Sequence, residues 1–240
     1  SSSNKIEPIP GNDIISTINV GFQDITHHSL LKQLEDFEAD HGTAVVMETN
    51  TGEIKAISNL GRTSQGKYYE KLNYAVGEHF EPGSTFKLMS VIAAFEDNKV
   101  EPNTIIDTEK GVLSFYGNKV RDSKPGGYGK ISVNDAFKFS SNTGIVKIIS
   151  ESYGNEPHKF SDRLFNMGLN NKLGLSILGE SSPRIPHPND KNWNGLSLPW
   201  MAYGYGVLLS PLQILTFYNS VANNGEMVKP VFIRQSRLES

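Results

Sequence analysis

The stretch Glu81-Pro82-Gly83-Ser84-Thr85-Phe86-Lys87 decides how this chain is read. Proline and glycine end whatever precedes them. From Ser84 to about Asn98 the apolar residues Phe86, Met89, Ile92, Ala93 and Phe95 fit a helix. Ser84 therefore opens that helix, where backbone N–H groups are unpaired and the dipole is positive. Lys87, three residues on, lies on the same face about one turn away. A serine hydroxyl is a weak nucleophile until a base takes its proton. A lysine amine can be that base if burial lowers its pKa from about 10.4, and the helix end can hold the oxyanion that forms. The alternative is an N-cap serine beside a solvated lysine. The residues alone leave both readings open.

The spacing is not specific. Ser2 and Lys5, Ser29 and Lys32, and Ser64 and Lys67 repeat it. They fall in a polar terminus, on an amphipathic helix and in a glycine-containing loop, and each reads as chance. A second element is Ser140-Ser141-Asn142, where predicted helices over 133–139 and 143–153 meet. The outer members of such a triplet can project into one cleft, the hydroxyl relaying a proton and the amide binding a carbonyl. The S-x-N pattern also occurs at Ser2 and Ser132, and serine and asparagine are ordinary turn residues.

Around these elements the chain reads as α+β. Residues 1–12, with Pro8, Pro10 and Gly11, form a linker, and 13–240 form one domain. Residues 13–20 are β-prone. A helix follows Asp24, with Ile25, Leu30, Leu31, Leu34 and Phe37 at helical spacing. Strands over 43–48 and 53–58 flank Thr49-Asn50-Thr51-Gly52 as a hairpin. Residues 60–80 are loop-rich, and 101–131 are turns and short strands. A helix over 157–167 ends at Gly168. Residues 180–200 hold four of the twelve prolines and are expected to form an extended loop. The last helix opens with a capping box, Ser210-Pro211-Leu212-Gln213, and ends at Asn223-Asn224-Gly225.

Composition narrows the function. A net charge of -3 gives no reason to expect a nucleic-acid partner. No stretch approaches the roughly 18 apolar residues of a membrane span, and no secretory signal is present. The chain opens on Ser1 without methionine and reads as a processed fragment. It has no cysteine, which excludes thiol catalysis, disulfides and thiolate metal sites. His27 and His28 read as solvated neighbours on a polar helix face. His41, His79, His158 and His187 have no metal-ligand spacing. Arg121, Asp122 and Lys124 read as an anion site or, more simply, a surface hairpin salt bridge. Gly204-Tyr205-Gly206 reads as a tight turn. Trp193 and Trp200 either line a groove or pin their loop to the core.

The ordered set of a serine with lysine three later, then S-x-N, resembles the signature of penicillin-binding proteins and serine β-lactamases. The wording is closer than the bare signature. Glu81-Pro82-Gly83-Ser84-Thr85-Phe86-Lys87 is similar to the nucleophile segment of class B penicillin-binding proteins. So are Ser140-Ser141-Asn142-Thr143-Gly144, 56 residues after Ser84, and Val120-Arg121-Asp122. Gly204-Tyr205-Gly206 leading into Ser210-Pro211-Leu212-Gln213, and Ala222-Asn223-Asn224-Gly225, resemble that class too. The likeness runs from about residue 13 to 233. Glu-Pro-Gly before the serine and Asn142 resemble the septal subclass.

This resemblance implies an antiparallel sheet flanked by helices, with an all-helical lobe carrying Ser84 at its boundary. It implies that Ser84 attacks the penultimate D-alanine carbonyl of a peptidoglycan stem peptide ending in D-Ala-D-Ala. Lys87 would be general base, Ser140 the proton shuttle, and Asn142 the group holding the substrate amide and Lys87. β-Lactams would acylate Ser84, and no cofactor or metal is implied. A glycosyltransferase and division proteins are the expected partners, at the periplasmic face of the inner membrane through an anchor outside this chain. One departure stands out: no K-T-G or K-S-G occurs in the 240 residues. The expectation is therefore that the chain is C-terminally incomplete, lacks strands of its sheet, and is by itself a poor transpeptidase. Two other functions fit the same residues: a β-lactamase or D,D-carboxypeptidase, and a non-catalytic division scaffold.

Overall fold

The computed structural model describes residues 13–234. The proposed linker, 1–12, lies outside them. Strand β1 (Ile15–Ser16) leads into helix α1 (Val20–Phe37). The β-prone stretch is thus a two-residue strand, and the helix starts earlier than Asp24. Asn19 caps it, its side chain accepting from the Phe22 amide, which ends the extended segment before a longer strand can form. Strands β2 (His41–Met47) and β3 (Ile54–Arg62) form the antiparallel hairpin expected from the turn at 49–52, with Val45 opposite Ile57. Strand β4 (Tyr68–Tyr69) completes a three-stranded sheet in the order β2-β3-β4.

Helix α1 lies against this sheet. Its Gln23 side chain bonds both the N–H and the C=O of Ile57, and its buried Leu34 packs beneath Gly42. His27 is half-buried rather than fully solvated, with Nδ1 3.2 Å from the Ser58 hydroxyl; His28 is exposed. Helix α2 (Tyr74–Gly77), within the expected loop 60–80, fills the sheet-side core through Ala75 and Val76.

The chain then enters the helical lobe. Gly83–Phe86 is a 3₁₀ turn, and α3 (Lys87–Glu96) continues from it. Four short strands follow: β5 (Ile105–Asp107), β6 (Val112–Phe115), β7 (Asn118–Arg121) and β8 (Lys130–Ser132). They pair as two antiparallel ribbons, β5 with β8 and β6 with β7. Helices α4 (Val133–Lys138), α5 (Asn142–Tyr153) and α6 (Pro157–Asn166) come next. Residues 180–200 are not loop throughout: α7 (Ser197–Ala202) begins before their end, because Leu198, Pro199 and Met201 bury against the lobe core. Trp193 and Trp200 pack against that core and so pin the loop, and Trp193 also lines a cavity beside it.

Helix α8 (Pro211–Ala222) has the expected capping box and returns toward the sheet, where Leu212 joins Ile54 and Ala75. Strand β9 (Ile233–Arg234) pairs antiparallel with β1. Two cores result, one under the sheet and one inside the lobe. The fold is α+β, an antiparallel sheet flanked by helices beside a helical lobe decorated with two ribbons. Among the described residues no helix is long and apolar enough to cross a membrane.

Candidate active site

Ser84 sits in the 3₁₀ turn at the junction of the two regions, and it is exposed. It is not the N-cap of a regular helix. Gly83 has φ +55°, which a residue with a Cβ seldom adopts. The turn is held from outside by Gly204-Tyr205-Gly206. The Gly83 amide donates to the Gly204 carbonyl at 3.0 Å, and the Gly206 amide donates to a Glu81 carboxylate oxygen at 2.8 Å. Gly204 has φ +92°, and a Cβ there would lie 2.0 Å from the Gly83 carbonyl oxygen. The expected tight turn is therefore the brace of the serine segment. Tyr218 of α8 adds a third hold, its hydroxyl donating to the Thr85 carbonyl at 2.9 Å.

Lys87 points inward and is 1% exposed, whereas Lys32 and Lys67 of the neighbouring Ser/Lys repeats are solvent-exposed. The repeat at Ser2 lies outside the described residues. This difference separates a buried amine from two solvated ones. Lys87 Nζ donates to the Ser140 carbonyl at 2.6 Å, to the Ser140 hydroxyl at 2.9 Å and to Asn142 Oδ1 at 2.5 Å. Three acceptors match the three hydrogens of an ammonium. Burial nevertheless lowers its pKa from 10.5 to about 8, against the pull of the Asp122 carboxylate, which favours the charged form. A substantial neutral fraction near physiological pH follows.

The acceptors come from the joint between α4 and α5. Ser140 occupies the left-handed region at φ 53°, unusual for a residue with a side chain. The chain is turned there so that its hydroxyl and carbonyl both face Lys87. Ser141 caps α5 by accepting from the Gly144 amide at 2.9 Å, and Asn142 is the first residue of that helix. Asn142 Nδ2 donates to the Arg121 carbonyl at 2.7 Å, which fixes which end of the amide meets Lys87.

Asp122 fastens this joint. It accepts from the Thr143 amide at 2.9 Å, the Thr143 hydroxyl at 2.7 Å and the Ser141 hydroxyl at 3.1 Å. The surface salt bridge expected for Arg121 and Asp122 is not formed. The carboxylate instead meets the unpaired donors at the start of α5, where a negative charge is favoured. Sequence reasoning flagged Asp122 but not this role. The signal was present in Ser141 and Thr143, hydroxyl residues at a helix start.

Lys87, Ser140 and Asn142 are thus brought together. Ser84 lies one turn before Lys87, and its hydroxyl makes no hydrogen bond among the described residues. Catalytic hydrogen bonds are often loose without substrate. An exposed hydroxyl, a buried amine of lowered pKa and a second hydroxyl on that amine suit acyl transfer through a serine ester. Among the described residues no cluster of histidine and carboxylates could hold a metal ion.

A model of the penicillin binding protein transpeptidase domain matches residues 42–238. Penicillin-binding protein PbpB of Mycolicibacterium smegmatis is 28% identical over 242 residues, which cover 97% of this chain and 36% of that protein. Peptidoglycan D,D-transpeptidase FtsI of Buchnera aphidicola is 28% identical over 237 residues, covering 96% of this chain and 40% of that protein. The chain therefore spans well under half the length of these curated relatives. Among solved structures, the transpeptidase domain of Burkholderia pseudomallei penicillin-binding protein 3 superposes with a TM-score of 0.76 at 27% identity, over 95% of this chain and 64% of that one. A structure described as a putative peptidoglycan glycosyltransferase from Atopobium parvulum gives 0.80 at 25% identity, over 93% and 52%.

Proposed function

Because the chain belongs to the penicillin binding protein transpeptidase domain family, we propose that residues 13–240 are the acyl-transfer domain of a septal peptidoglycan D,D-transpeptidase. The observation that carries this reading is the buried amine of Lys87, held between Ser140 and Asn142 one turn from an exposed Ser84. The names of the FtsI, PbpB and PenA relatives support the cell-wall assignment.

Ser84 Oγ attacks the carbonyl of the penultimate D-alanine of a stem peptide as Lys87, neutral, takes its proton. The tetrahedral adduct collapses and the C–N bond breaks. The terminal D-alanine leaves as an amine, with its proton delivered through the Ser140 hydroxyl from Lys87. The amine of a neighbouring stem then attacks the ester carbon and loses a proton to the same base. The C–Oγ bond breaks, Lys87 returns that proton to Ser84 Oγ, and the new amide is the crosslink. Asn142 orients Lys87 with Oδ1 and keeps one Nδ2 hydrogen for the substrate. β-Lactams acylate Ser84 as strained mimics of the stem terminus. The whole protein works at the periplasmic face of the inner membrane, anchored there, with a glycosyltransferase and division proteins as partners.

The test is intact-mass spectrometry of the whole protein with benzylpenicillin, followed by peptide mapping. The whole protein is used because the chain spans well under half the length of its curated relatives. A long-lived penicilloyl group on Ser84, absent in Ser84→Ala, is expected. Rapid release of the adduct would favour a hydrolase instead. Absence of an adduct, with division preserved in Ser84→Ala cells, would replace the enzyme with a scaffold.

A further inference from the structure

A cavity lies beside the C-terminal half of α5, away from its Asn142 end. It measures about 230 Å³, and its walls include Phe115, Tyr116, Pro157, Trp193 and Pro199, with Ser150 of α5 among the lining residues. No charged residue lines it. The Ser150 hydroxyl is the one buried side-chain polar atom without a hydrogen-bond partner among the described residues. Leaving such a group unpaired costs about 1–3 kcal/mol, and native proteins seldom tolerate it without a reason. Trp193 Nε1 and the Tyr116 hydroxyl also make no hydrogen bond among the described residues.

We propose that this cavity is a subsite for one neutral sugar ring of a glycan strand. Its volume suits a single ring rather than a drug-sized ligand, whose pockets begin at about 300 Å³. The neutral lining favours an uncharged guest. Aromatic rings carry a negative face and present area at little entropic cost, so they receive the weakly positive C–H face of a pyranose. A leucine or phenylalanine side chain would fill the same space but leave Ser150 unpaired, whereas a ring hydroxyl satisfies it. Tyr116 is the movable wall. It is 80% exposed at the tip of the β6–β7 hairpin, with its ring packed flush against Gly195, where a Cβ would lie 2.2 Å from Tyr116 Cε2.

The location ties the subsite to the reactive centre. Ser150 and Asn142 share α5, eight residues or about 12 Å apart. The hairpin that carries Tyr116 also carries Arg121, whose carbonyl holds Asn142. A sugar seated here would place its strand beside the cleft and lean on the hairpin that fixes the Asn142 amide. Naming a glycan rests on the reading of the domain as acting on peptidoglycan.

The test is a ligand-observed NMR titration of the whole protein with the N-acetylglucosamine trimer. Saturable binding is expected, unchanged in Ser84→Ala, weakened about two- to tenfold in Ser150→Ala, and lost in Trp193→Ala. Ser150→Ala should unfold no earlier than the parent, since it removes an unpaired hydroxyl, so its loss of binding is not a loss of fold. Binding unaffected by Ser150→Ala would overturn the proposal. So would saturation by a proline-rich peptide but not the sugar, or no binding by a folded protein at millimolar trimer. Benzylpenicillin acylation measured on the same sample keeps failure of the subsite separate from failure of the transpeptidase reading.

Discussion

Lys87 Nζ donates to Asn142 Oδ1 at 2.5 Å, across 55 residues of chain. The same asparagine is anchored on its other side by the Arg121 carbonyl, so the amine is aimed by a fixed amide. The pH behaviour of acylation follows from that buried amine.

Acylation of Ser84 by benzylpenicillin should rise with pH through a midpoint of about 8, the value to which burial lowers Lys87, and fall about tenfold per unit well below it. Stability carries the matching signature. The folded pKa lies below the unfolded one, so the unfolded chain binds more protons between about pH 8 and 10.5, and stability rises across that window. Lys87→Met should abolish acylation and flatten that rise. A pH–rate profile without a midpoint between about 7 and 9 would remove Lys87 as the base.

Asp122→Asn should move the acylation midpoint below that of the parent protein. The carboxylate favours the ammonium form of Lys87, so its removal makes the amine easier to deprotonate. The maximal rate should fall as well, because Ser141 and Thr143 lose a charged acceptor. A merely structural role would lower stability without shifting the midpoint, so the profile tells the two apart.

Gly204→Ala should cost about 2–4 kcal/mol in denaturant unfolding and slow acylation more than tenfold. The new Cβ would fall 2.0 Å from the Gly83 carbonyl oxygen, at a φ of +92°, so the turn that carries Ser84 must shift. Full activity in this variant would show that the brace is dispensable.

Ser140→Gly separates strain from chemistry. Glycine relieves the left-handed backbone at φ 53°, a relief of about 1 kcal/mol, so thermal stability should hold or increase. Acylation should fall about 10²–10⁴-fold if the hydroxyl relays the proton. An unimpaired rate would take Ser140 out of the mechanism.

Elements with a local cause were legible in the chain. The hairpin around 49–52 needed only β-prone runs and a turn, and the capping box at Ser210 is complete within four residues. Helix α1 starts at Val20 rather than after Asp24 because the Asn19 side chain caps it nearer the strand. Prolines mark residues 180–200 as loop, yet Ser197–Ala202 is helix α7. What makes those residues helical is burial of Leu198 and Met201, which no local rule contains. The 3₁₀ start at Gly83 has no local signal for the same reason, since Gly204 braces it from across the fold.

The order of motifs, a serine with lysine three later and then S-x-N, carries a family resemblance, and that resemblance is what nominates a serine acyl-transfer domain with Ser84, Lys87, Ser140 and Asn142 as its site. Spacing by itself does not distinguish Lys87 from Lys32 or Lys67, which stand at the same distance from a serine; the segment around Ser84 does so only by resemblance. Tertiary structure gives the physical distinction, by burying one amine among Ser140, Asn142 and Asp122 while the other two stay in water. A pKa depends on desolvation and on charges near in space. Residues far along the chain, Asp122 for the charge and Ser140 and Asn142 for the packing, supply both, so the spacing nominates the lysine and the packing selects it.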